Sequence, residues 1–148
     1  MQNKIFIFFI IVFSNLIFFN VSSNDQLNFD ISQIEILEGG NKIIGKKRGK
    51  ITTNDGIIIN ADQFEYDKTK NILKASGEIK IKDTINDYEI NSKSVVYFKE
   101  IEKIVIEGKS NSTIYTDYNL KTENIVVLRK EGTISSDRNA SIIDKKNQ

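Results

Sequence analysis

The chain has 148 residues, with 21 Lys or Arg against 20 Asp or Glu, a formal net charge of +1, and neither Cys nor His. Absent thiols exclude disulfides, thiolate metal sites and a Cys nucleophile; absent imidazoles remove the usual zinc sites and the Ser-His-Asp triad. The near-neutral balance argues against a general nucleic-acid binder, and the length suits about one domain.

Taken in chain order, the first segment reads as an address. Lys4 is the only charge before Asp25, and residues 5–13 are an unbroken apolar run. Ser14 and Asn15 interrupt it, residues 16–19 resume it, and Val21 and Ser23 offer small residues at a cleavage site. This order predicts a secretory signal peptide over residues 1–23. The rival is an uncleaved anchor, but a span needs roughly 20 predominantly apolar residues. Cleavage after Ser23 would leave 148 − 23 = 125 residues, with a charge of 20 − 20 = 0 because Lys4 leaves. An exported chain without disulfides fits a bacterial periplasm.

The remainder is rich in Ile and Val, which pack well on a pleated surface. Period-two alternation marks Ile34-Glu35-Ile36, Glu78-Ile79-Lys80-Ile81-Lys82, Tyr88-Glu89-Ile90-Asn91 and Ile104-Val105-Ile106-Glu107. Turn residues separate these runs at Gly39-Gly40-Asn41, Asn54-Asp55-Gly56, residues 67–71, Asn86-Asp87 and Asn119. Asp55-Gly56 is the strongest hairpin signal. No window shows a capped helical stripe, so the pattern predicts an all-β sandwich, barrel or solenoid.

An internal repeat sharpens this. Aligning the unit that starts at Gly56 with the one at Asp87 matches Ile59 to Ile90, Ala61 to Ser92, Tyr66 to Tyr97 and Gly77 to Gly108, an offset of 31. A third unit starts at Asp117, and a weaker one covers residues 34–45. Each unit is strand, turn, strand, then a Gly that marks a bend or bulge. Stacked units can bury a continuous apolar face that one hairpin cannot.

The catalytic inventory is thin. Asp62, Glu65 and Asp67 lie close together but lack the Gly and terminal Glu of a calcium loop, so they read as solvated acids. Lys46-Lys47-Arg48 with Lys50 is the one basic cluster; it reads as a charged edge that deters strand pairing, with contact to phosphate or anionic lipid as the alternative. The apolar faces say more. Straight alternation puts Ile90, Ser92, Ser94, Val96 and Phe98 on one face, with Leu73, Ala75, Ile79 and Ile81 on the neighbouring strand. Ile104, Ile106, Leu120, Val126 and Leu128 continue it. That face is either a dry core or a groove open to a lipid chain.

The run Ile58-Ile59-Asn60-Ala61-Asp62-Gln63-Phe64-Glu65-Tyr66-Asp67, followed by Leu73-Lys74-Ala75-Ser76-Gly77-Glu78-Ile79-Lys80-Ile81, resembles the repeat of the OstA-like family. That family includes LptA and the amino-terminal domain of LptD, proteins of lipopolysaccharide transport and assembly. The second unit is a looser copy, in which Asn91-Ser92-Lys93 replaces the Ala-Asp step. The resemblance implies a twisted, partly open β-jellyroll built from stacked strand-turn-strand repeats over residues 24–136. It implies a non-catalytic protein without cofactor or metal, in the periplasm and associated with the outer membrane. The implied partners are lipopolysaccharide, through its lipid A acyl chains, other β-jellyroll transport proteins joined edge to edge, and an outer-membrane assembly partner. The implied groove lining is Ile34, Ile36, Ile59, Leu73, Ile79, Ile81, Ile90, Val96, Phe98, Ile104, Ile106, Leu120, Val126 and Leu128.

The flanking sequence resembles the LptD amino-terminal domain more than a standalone LptA-like carrier, although the large barrel of LptD is missing. A structural β-repeat protein that binds no lipid is the alternative of another class; a carboxylate-based hydrolase would need a paired-acid cleft that the sequence does not offer. Residues 137–148 read as a polar tail or a truncated continuation.

Overall fold

Alternating β-branched residues commit most of the described residues to strands. The computed structural model describes residues 26–147; the segment expected as a signal peptide, residues 1–23, lies outside the described residues. Twelve strands form one antiparallel sheet: β1 (Leu27–Ile31), β2 (Ile34–Leu37), β3 (Lys42–Gly45), β4 (Gly49–Thr53), β5 (Ile57–Ala61), β6 (Gln63–Asp67), β7 (Ile72–Asp83), β8 (Tyr88–Phe98), β9 (Lys103–Ile114), β10 (Tyr118–Leu128), β11 (Thr133–Ser136) and β12 (Ser141–Asp144). The all-β class and the twisted, unclosed sheet expected from the sequence are what is found.

The connectivity is a meander. β1 and β2 pair with β4 and β3, which pair in turn with β5 and β6; these flank β7, and β7 to β10 follow in order. β10 carries both β11 and β12. The chain therefore makes eight passes. Four are broken into two short strands, and the four central ones, β7 to β10, run through.

Every pass is interrupted at the same level, and a crease results. The register shifts between Ser76 and Ile79 in β7, between Asn91 and Val95 in β8, and between Glu123 and Ile125 in β10. Gly77 (φ 99°), Gly108 (φ 79°) and Asn124 (φ 55°) take left-handed conformations there. Only Gly, and to a lesser degree Asn, adopts such angles cheaply. Gly77 and Gly108 thus sit inside long strands, at bulges, as the spacing predicts, whereas Gly45 ends β3 and Gly132 lies in the turn after β10. Asp62 and Asn124 satisfy the amides that the bulges free: Asp62 Oδ2 accepts from Glu78 N at 2.9 Å, and Asn124 Oδ1 from Gly108 N at 2.9 Å.

The crease divides the sheet into two arms. The first holds β1, β4, β5, β12 and residues 79–83, 88–92, 110–114 and 118–122 of the long strands. The second holds β2, β3, β6, β11 and residues 72–76, 95–98, 103–106 and 125–128. The arms fold onto each other and share one apolar core, in which Ile51, Ile57, Ile59, Ile81 and Ile90 from the first arm and Leu73, Ile104, Ile106 and Ile125 from the second are fully buried. Phe29 of β1 meets Tyr66 of β6 across the gap, with ring centroids 5.9 Å apart. Beside the crease small inward residues (Ala61, Ala75, Ser92, Ser110, Thr122) stand with larger ones (Phe64, Ile79, Val95, Ile106, Ile125).

Turns fall at residues 54–56 and 68–71 as predicted, and the one expected at Asn86-Asp87 spans residues 84–87. Asn119 is a correction: it lies within β10, opposite Thr113, and the turn is at residues 115–117. Left-handed Tyr115 and Thr116 make that turn without Gly or Pro. The stretch set apart as a polar tail contains β12, paired to residues 118–121.

The two repeat glycines differ in their surroundings. A Cβ at Gly77 would lie 2.3 Å from Asp62 Oδ2, whereas a Cβ at Gly108 would meet nothing within 4 Å. Gly108→Ala is expected to cost about 1–2 kcal/mol of backbone strain. Gly77→Ala is expected to cost roughly 1 kcal/mol more, because Asp62 must leave its hydrogen bonds. Urea-denaturation midpoints of the two variants, compared with the parent chain, check the order.

Candidate functional site

The inner faces of the two arms are the feature that could serve a ligand. Their character follows from the strands upward. In β7 the alternation of Leu73, Ala75, Ile79, Ile81 and Asp83 points inward and keeps its phase through Gly77. In β8 the inward set is Tyr88, Ile90 and Ser92, then Val95 and Tyr97. In β10 it is Leu120 and Thr122, then Ile125 and Val127.

The structure places Ile59, Leu73, Ile79, Ile81, Ile90, Ile104, Ile106 and Leu120 of the expected lining inside. It places the others elsewhere. Val96 and Phe98, with Val126 and Leu128, stand half-buried on the outer face of the second arm. The bulge that follows Asn91 and the one at Asn124 each shift the alternation by one residue, so Val95, Tyr97, Ile125 and Val127 take the inward places. A one-residue slip exchanges the two faces of a strand. Ile34 (40% exposed) and Ile36 (65% exposed) lie on β2, an edge strand that the opposite arm does not cover.

The two arms are clasped at their tips by an ionic cluster. Arg129 lies just past the end of β10, at the tip of the second arm, with its side chain buried. Its Nε donates to Asp83 Oδ2 at 2.8 Å, its Nη1 to Asp55 Oδ2, and its Nη2 to the Asp55 carbonyl at 2.8 Å. Asp55 (in the β4–β5 turn) and Asp83 (ending β7) form the tip of the first arm. Glu102, on the same tip as Arg129, completes the set, with Oε2 3.4 Å from Nη1. A straight strand the length of β10 would span roughly 36 Å, so these groups meet only because the sheet folds double.

Burial pushes the Asp55 and Asp83 carboxyls up, but hydrogen bonds from Thr53 and Arg129 on the one, and from Arg129 and Asn86 on the other, outweigh it; both stay below the ordinary 3.8. Desolvation raises the Tyr88 and Tyr97 hydroxyls, and the charges of Asp83 and Asp55 raise them further. The Tyr88 hydroxyl is buried without a hydrogen-bond partner, as is that of Ser112.

The charged groups singled out from the sequence are used in pairs. Asp62 takes Arg48 at 2.8 Å, Glu65 takes Lys42 at 3.1 Å, and Asp67 takes Lys70 at 2.8 Å. Within the basic cluster, Lys46 pairs with Glu35 at 2.5 Å, Lys50 lies 3.6 Å from Asp30, and Arg48 also donates to the Glu78 carbonyl. Among the described residues no group of acids is placed to hold a metal ion. A groove of about 940 Å³ runs beside the crease; its walls mix buried Ile79, Ser92, Ser110 and Thr122 with exposed Lys80, Lys93, Lys109 and Lys121.

No family model matches the sequence, and no curated protein does. Among solved structures the chain is similar to LptH of Pseudomonas aeruginosa, the LptA homologous periplasmic component of the conserved lipopolysaccharide transport device, with a TM-score of 0.69 and 9% identity over 80% of this chain and 94% of that one. The shared property is the fold: an LptA-like antiparallel sheet that twists, doubles over and does not close.

The ionic cluster carries a pH signature. Because the folded Asp55 and Asp83 bind protons more weakly than the unfolded chain does, their contribution is complete above the ordinary carboxylate value. It is lost as pH falls through the depressed folded values. Urea midpoints followed from about pH 6 to about pH 2 are expected to drop steeply at the acid end, and Asp83→Asn to flatten that drop.

Proposed function

We propose that the chain is a non-catalytic module of lipopolysaccharide transport, holding lipid acyl chains between its two arms in the periplasm. The observation that carries this is the doubled, unclosed sheet with a continuous apolar interior, on the same fold as a periplasmic component of a lipopolysaccharide transport device. Shielding acyl chains there stabilises by about 0.8 kcal/mol per buried methylene, and no bond need be made or broken. The fold suits a standalone carrier and an LptD-like amino-terminal domain alike; the flanking sequence favours the latter.

Photocrosslinking residues at Ile81 and Ile106, which are fully buried, are expected to capture lipopolysaccharide. The same groups at Val96 and Lys80, on the outer faces, are expected to capture little. Equal capture at Lys80 and Ile106 would overturn the reading. One observation favours a second reading, a structural β-repeat protein without a lipid: the inner face is tightly packed, with no inward side chain of β7, β8 or β10 more than 8% exposed. That reading expects no capture at any of the four positions.

The edges supply the partners. β1 and β2 close one side of the sheet and β11 and β12 the other, each with one unpaired flank. Ile36 and Ile142, both 65% exposed, stand on these edges. Exposed apolar edges favour pairing with another sheet of the same kind. Ile36→Lys is expected to leave thermal stability unchanged and to reduce concentration-dependent association, read by light scattering on a sizing column.

A further inference from the structure

We propose that Arg129, with Asp55 and Asp83, is the latch of a lateral gate through which an acyl chain enters the interior; this rests on the carrier reading above. Three observations lead to it. The inner faces are closed on each other, so a chain of methylenes can enter only if the arms part. The crease supplies the hinge: Gly77, Gly108 and Asn124 sit on one line in left-handed conformations, and the ladder is interrupted beside each of them. The latch lies at the opposite end of the strands from that hinge, where a small rotation opens the widest slit.

The chemistry of the latch suits a contact that must be made and broken. All three of its cross-arm hydrogen bonds come from one guanidinium, so the polar part of the closure at the tips rests on one side chain. Apolar tips would lose their burial on opening, with nothing in return. An ion cluster instead regains hydration on both sides, which offsets much of the lost attraction. The closed state is thereby held, beyond its apolar packing, by one specific contact at the tips. Glu102 keeps the guanidinium aimed: its carbonyl accepts from the Arg129 amide at 3.2 Å, and its carboxylate touches Nη1.

The chain has no Cys, so a pair can be introduced cleanly. Asp55→Cys with Arg129→Cys, bridged by a short reducible bis-methanethiosulfonate, ties the tips together without the ions. The probe is rough lipopolysaccharide bearing a fluorescent acyl chain, and circular dichroism verifies the fold of both forms. The bridged form is expected to bind at least about tenfold more slowly than the reduced form. Equal rates in the two forms would overturn the gate and leave the carrier reading standing. Failure of the reduced form and of the parent chain to bind would overturn the carrier reading and the gate with it. Should the double variant not fold, Arg129→Lys decides the matter, since it keeps the charge and loses the fork that spans Asp55 and Asp83. It is expected to bind the probe several-fold faster than the parent chain, and an unchanged or slower rate would overturn the gate.

Discussion

Everything in this molecule depends on one line of backbone where eight passes of a single sheet bend together. A flat meander of Ile-rich strands would expose one apolar face along its whole length. The crease removes that exposure by turning half of the face onto the other half. It needs residues that tolerate left-handed angles, and side chains that satisfy the amides the bulges release. Gly77, Gly108 and Asn124 supply the first, Asp62 and Asn124 the second.

Much of this was legible in the residues, because its causes are local. Alternation of β-branched residues gave the strands, turn chemistry most of the hairpins, and the 31-residue offset the units. The repeat glycines announced bends within strands before their geometry was known. The faces were legible only up to the bulges. Val96 and Phe98 were assigned inward because period-two counting carries straight through Ser92 to Ser94, whereas the chain takes an extra residue there. Val126 and Leu128 were exchanged with Ile125 and Val127 for the same reason at Asn124. The glycines that mark bends, Gly77 and Gly108, lie in β7 and β9, whose alternation keeps its phase; the shifts fall in β8 and β10, where no Gly announces them.

The clasp was not legible. Arg129 follows an apolar strand like many solvated basic residues, and its partners lie 74 and 46 residues away in sequence. No spacing rule links them; only the doubling of the sheet does. The edge position of Ile34 and Ile36 was hidden for a similar reason. Their alternation is that of a half-buried strand, and whether a partner covers them depends on the end of the meander at which they fall.

The repeat also fixes how the molecule can change size. Each unit of about 31 residues contributes two passes, and neighbouring strands lie about 4.8 Å apart. One more unit would therefore lengthen the apolar interior by roughly 9.6 Å while leaving its cross-section and crease as they are. Length along the sheet thus becomes a matter of counting hairpins, set independently of how the two arms pack.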